Sequence, residues 1–270
     1  RHSPFDRLRA NGQSAKSKRL PLTNRLTILG KRRSILSPFT RDRVVLATGL
    51  ALVCALAWAF TILGAQGMEP STPMPWSAGQ FVMVFVMWVV MMGAMMLPAV
   101  APMVDSFVTI NRRRRERDAP YVATVFFIGG YLLAWSGYSA IATVAHWGLE
   151  RAGLLDTLMQ SASPGLSGIL FLAAGLYQWT PLKEVCLTRC RSPIGFVLTE
   201  WRDGALGAII MGLRHGGYCI GCCAALMALL FAVAVMSLPW VAALTVLVMI
   251  EKLLPGEAFW RHAIGAVLTL

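Results

Sequence analysis

Apolar residues in this sequence gather into stretches as long as a bilayer is thick. A helix that crosses the roughly 30 Å hydrocarbon core needs about 20 predominantly apolar residues, and residues 44–63, 81–100 and 121–144 each meet that length. Residues 166–182 form a shorter run, and the chain stays largely apolar over 205–238 and 240–270. Charged residues make up only 14% of the chain, against about 25% in a soluble domain, which is too few to cover a surface in water. The expected fold is therefore all-α, a polytopic helical membrane protein of about six transmembrane helices. Arg214, His215, Gly216 and Gly217 interrupt the 205–238 stretch, so it reads as one broken or re-entrant segment, a form tolerated where protein or water surrounds the backbone.

The charge is unevenly placed. Residues 1–43 hold 12 basic and 2 acidic residues, so ten of the twelve excess positive charges precede the first apolar stretch. This segment lacks periodicity and is rich in Ser and basic residues, and it reads as a basic, mostly disordered tail ahead of a helical membrane domain at 44–270. Lys and Arg mark the cytoplasmic side. The tail, the Arg112–Arg115 run with Arg117, and a third group (Lys183, Arg189, Arg191 and Arg202) are each separated by two spans, so all three agree on a cytoplasmic tail and a multi-pass chain. A strongly basic protein often binds nucleic acid, but here the excess sits in the tail. The expected partner is the lipid bilayer, with no nucleic acid.

Five of the six cysteines fall between Cys186 and Cys223. Cys186 and Cys190 are four apart, hence on one face of a helix. Cys219 lies three residues before Cys222 and four before Cys223, and His215 lies four before Cys219. Thiolate and imidazole are the donors that soft and borderline metals select. Buried cysteine is also a small apolar packing residue, and Cys54, alone in the first span, reads as that. Packing alone does not explain five thiols around an Arg-His-Gly-Gly sequence. The positive Arg189 and Arg191 beside Cys190 are expected to favour its thiolate.

A second sulfur pattern lies in the 81–100 stretch, where Met87, Met91 and Met95 recur every four residues beside Met92 and Met96. Thioether suits Cu(I), so Met91, Met92, Met95 and Met96 form a possible secondary metal path. Core packing is the competing and simpler reading. Pro98 is expected to kink or end that helix. Charges within apolar stretches are costly and need a reason. Arg214 and Glu251 stand out, either as an ion pair that fixes the late helices or as functional groups, and Lys252 is expected to snorkel to the interface. Phosphate-loop, nucleophile-elbow and H-E-x-x-H motifs are absent from the sequence, which argues against an enzyme.

The order W-V-V-M-M-G-A-M-M-L-P, C-L-T-R-C-R-S-P, E-W-R-D-G-A-L-G-A, G-L-R-H-G-G-Y-C-I-G-C-C-A-A-L-M and a late E-K resembles the DUF2182 family of predicted metal-binding bacterial integral membrane proteins. The likeness covers roughly residues 44–256, and 212–227 is its most specific part. It implies a bacterial inner-membrane protein whose metal site is formed by Cys186, Cys190, His215, Cys219, Cys222 and Cys223.

Residues and resemblance together point to a protein that holds or transfers a soft transition metal, Cu(I) favoured over Zn(II), with a metallochaperone or metalloprotein as partner. A membrane thiol-disulfide oxidoreductase using the same cysteines is the alternative. A third reading is a non-catalytic scaffold for metalloprotein assembly.

Overall fold

The computed structural model describes residues 44–45, 47–66, 76–117, 122–155, 163–233, 235, 237–254 and 256–270. The tail expected at 1–43 lies outside the described residues. From Ala47 to Leu270 the chain forms one compact unit, and that unit is helical, as expected. Its helices are α1 (Ala47–Gln66), α2 (Ala78–Arg115), α3 (Thr124–Arg151), α4 (Pro164–Gln178), α5 (Pro181–Arg191), α6 (Pro193–Glu200), α7 (Gly204–Ala228), α8 (Leu230–Val233), α9 (Leu238–Leu253) and α10 (Glu257–Thr269).

Among the described residues, four segments are long and apolar enough to cross a membrane: α1, α2, α3 and the run Gly204–Val233 that joins α7 to α8. The expected count was about six. The difference lies in the late helices: α4, α9 and α10 have 15, 16 and 13 residues. At 1.5 Å per residue they are about 20–24 Å long, short of the hydrocarbon core.

Pro98 neither ends nor breaks its helix, because α2 runs through Pro98 and Pro102 to Arg115. Proline removes the hydrogen bond to the carbonyl four residues earlier, which here is that of Ala94. The Cys54 thiol on α1 donates to the Ala94 oxygen at 3.5 Å. Cys54 therefore does more than fill space: it satisfies an acceptor that Pro98 orphans.

The break expected at Arg214–Gly217 is also absent. All four residues lie inside α7, and the helix gives way only at Leu229, beyond the cysteines. The glycines serve packing instead. A Cβ at Gly212 would collide with the Phe127 carbonyl of α3, and one at Gly216 would come within 2.5 Å of the Ala134 Cβ. Small residues let two backbones approach closely within a membrane, and among the described residues α3 with α7 is the most extensive helix pair. Between α2, α3 and α7 lies a core of Trp88, Met91, Met92, Met95, Met96, Phe127, Tyr131 and Met211.

The expected Arg214–Glu251 pair does not form. Arg214 pairs with Glu200 at the end of α6. Glu251 is buried on α9 and receives Lys183 Nζ of α5 at 2.8 and 2.9 Å, with 1% and 0% of the two side chains exposed. Lys183 is thus not the loop charge that its composition suggested. Arg191 donates to the Glu251 and Leu254 carbonyls, so both ends of α5 are fastened to the C-terminal end of α9. His146 is buried against Trp76 and Phe231.

Candidate metal centre

α5 is built to start abruptly. Thr180 caps it by accepting from the Lys183 N–H, and Pro181 takes the first turn, where no N–H is needed. The helix then presents Cys186 and Cys190 on one face, towards α7. There Gly221 leaves room for sulfur, since a Cβ on it would lie 2.5 Å from Cys186 Sγ. Tyr177 of α4 donates to the Gly221 carbonyl and fixes that turn.

Thiols from the two cysteine segments meet. Cys222 Sγ lies 3.8 Å from Cys190 Sγ and 3.4 Å from Cys223 Sγ, and it donates to the Cys219 carbonyl at 3.2 Å. Cys219, Cys222 and Cys223 are each 1% exposed, Cys186 is buried and Cys190 is half-buried. None of the six cysteines is in a disulfide. Cys186 flanks the group at Gly221.

Two residues outside the expected set complete the arrangement. Lys252 of α9 does not snorkel to the surface: it is buried, and its Nζ donates to Cys219 Sγ. The Tyr131 hydroxyl of α3 lies 3.1 Å from the same sulfur and donates to the Met96 carbonyl at 3.3 Å. A signal for Lys252 was present in the late E-K pair, since a buried charge needs a partner. Tyr131 had none, because one tyrosine in an apolar helix looks like any other.

The remaining candidates sit differently. His215 is buried in a box of Phe127, Tyr131 and Phe196 with ring centroids 5.3–6.3 Å away, and its Nδ1 has no hydrogen-bond partner. Met91, Met92, Met95 and Met96 are all buried in the core, and the stripe reaches the thiols through the Met96 carbonyl and Tyr131. The arginines beside Cys190 do not face it as expected: Arg189 lies over the Tyr218 ring at 5.9 Å, while Arg191 is engaged with α9. Consistent with that, burial pushes the Cys186 thiol up. Cys190 is held well above the usual thiol value, first by its hydrogen bond with Cys219.

Among the described residues, no three His, Cys, Asp or Glu side chains already stand as a metal cage. The sulfurs are packed against one another and against an ammonium. Their chemistry nonetheless fits a soft, monovalent ion: the donors are thiols, water is largely excluded, and a cationic group already occupies the place beside Cys219.

No curated protein and no solved structure matches the chain. The model of the PpoB2 family, described as copper chaperone, matches residues 85–270, which takes in α2 from its first turns onward, the five clustered cysteines and Lys252. On that match, extending over well more than half of the sequence, the chain belongs to the PpoB2 copper-chaperone family.

Proposed function

We propose that this protein is a membrane-embedded copper chaperone of the bacterial inner membrane, which accepts Cu(I) on its clustered thiols and passes it to a metallochaperone or metalloprotein. The observation that carries this reading is the meeting of Cys190, Cys219, Cys222 and Cys223 from α5 and α7 around the Lys252 ammonium. Sulfur donors in a dry site select soft ions such as Cu(I) over harder ones, and the copper-chaperone family favours copper over Zn(II). Loading would replace the Lys252–Cys219 hydrogen bond with a metal–sulfur bond and release the protons of the neutral thiols, with the Lys252 ammonium beside Cys219 to offset thiolate charge. Cys186 stands beside the set as a further sulfur, while His215 and the methionine stripe support the walls. The resemblance to the DUF2182 family supports the cysteine donors; it also implies His215, which here stands in the wall rather than among the sulfurs. The basic tail and the arginine-rich end of α2 face the cytoplasm under the charge rule.

The test is Cu(I) stoichiometry in detergent under reducing conditions. Wild type is expected to retain copper through desalting, as is Cys54→Ser. The double variant Cys219→Ser with Cys222→Ser is expected to lose it. Equal loading of wild type and double variant removes these ligands from the proposal.

One observation favours a second reading, a thiol-disulfide oxidoreductase: the Cys190–Cys222 and Cys222–Cys223 sulfurs are near neighbours and all are free. Alkylation mapping separates the two. A redox pair changes its labelling with reductant, and a copper site changes it with a Cu(I) chelator.

A further inference from the structure

The far end of α2 borders a cavity whose lining includes no cysteine. α2 has 38 residues and is about 57 Å long, nearly twice the hydrocarbon thickness, so its arginine-rich last turns stand clear of the acyl region. There a cavity of about 300 Å³ opens between α2 and α6, lined by Ile110, Arg113, Arg114, Arg117, Val197, Leu198 and Trp201. Three guanidinium groups face it, and no lining residue is acidic. Arg114 is the fixed member: its Nη2 donates to Asp203 at 2.8 Å, its guanidinium lies 4.9 Å from the Trp201 ring centroid, and its Nε is buried with no hydrogen-bond partner. Asp203 offsets one charge and leaves a surplus of two from Arg113 and Arg117, both exposed.

The other half of the lining is apolar. Leu198 in the wall is 66% exposed, and its α6 neighbour Ile194 is 62% exposed. A free inorganic anion satisfies the guanidinium groups but gives these apolar side chains no partner. A ligand with a phosphate and a hydrocarbon portion satisfies both. Basic pockets at the membrane–cytoplasm boundary are suited to anionic lipid headgroups, and arginine pairs with phosphate oxygens in fork geometry.

We propose that this cavity binds the headgroup of an anionic phospholipid, with Arg113, Arg114 and Arg117 on the phosphate and Ile194, Leu198 and Trp201 against the glycerol and upper acyl carbons.

The full chain, delipidated in detergent, is titrated with phosphatidylglycerol, with phosphatidylcholine and with inorganic phosphate, reading bound lipid by native mass spectrometry and the melting temperature. Wild type is expected to bind phosphatidylglycerol and to melt higher with it, and to respond to neither other ligand. Arg113→Gln with Arg117→Gln is expected to weaken phosphatidylglycerol binding about thirtyfold, from the attraction of two arginines to an anionic surface. Arg112→Gln with Arg115→Gln removes equal charge from the same turns outside the cavity lining and is expected to keep wild-type affinity. Equal losses in the two double variants overturn the proposal in favour of general surface attraction. Equal binding of phosphatidylcholine overturns it as well, and a melting shift reproduced by inorganic phosphate alone reassigns the cavity to a free anion.

Discussion

Lys183 and Glu251 show what one pair of buried charges does for this molecule. Neither side chain is accessible, and each is the other's counter-charge across 68 positions of sequence. Removing one partner strands a charge in an apolar interior, at about 3–5 kcal/mol, whereas replacing both with apolar residues of similar volume is often neutral. Lys183→Met is therefore expected to lower the midpoint of unfolding in mixed micelles sharply, and Lys183→Met with Glu251→Leu to recover most of it. A single variant as stable as wild type would show that water reaches the pair. The five clustered cysteines could be read from sequence because they are close along the chain and of one chemical type. The partners of the charges could not: hydropathy says that a buried charge is costly but not which residue answers it, and Arg214 was nearer in sequence to the cysteines than Lys183 was to Glu251.

At the scale of the helix, glycine and proline were the misleading letters. Gly216, Gly217 and Pro98 read as interruptions, yet both helices run through them, because their neighbours supply what local propensity lacks. The Cys54 thiol answers the carbonyl that Pro98 leaves free, and the approach of α3 to α7 requires the missing side chain at Gly212. The two roles of glycine separate by substitution. Gly212→Ala is expected to destabilise by about 1–3 kcal/mol through overpacking. Gly217→Ala, with nothing within 4 Å of the added carbon, is expected to be neutral or to stabilise by up to about 1 kcal/mol through helix propensity. Thermal unfolding of both variants checks this, and equal effects would mean that α3 and α7 are not closely packed. Periodicity and length alone revealed α1, α2 and α3, which differ from the expected stretches mainly at their ends. The late helices were harder, because short apolar pieces joined at turns resemble one long apolar run.

For the whole molecule, α3 is a candidate span whose two ends carry different loops. Reporter fusions placed after Arg117 and after Arg151 are expected to report opposite sides of the membrane, with the Arg117 fusion in the cytoplasm. The same side for both would mean that α3 does not cross. The thiol cluster joins α5, α7 and α9 inside this frame, and its sulfurs are unequally placed towards the outside: Cys219, Cys222 and Cys223 are sealed, whereas Cys190 is only half-buried. Maleimide under reducing conditions is accordingly expected to modify Cys190 well before those three, as peptide mass mapping over time will read out; equal rates would mean that the helices part readily. Among the clustered sulfurs of α5 and α7, Cys190 is the most open to its surroundings. Under the proposed function, an accepting protein would reach the ion first at Cys190, and hand-over would proceed by ligand exchange, one sulfur bond made as another is released, without a free ion in between.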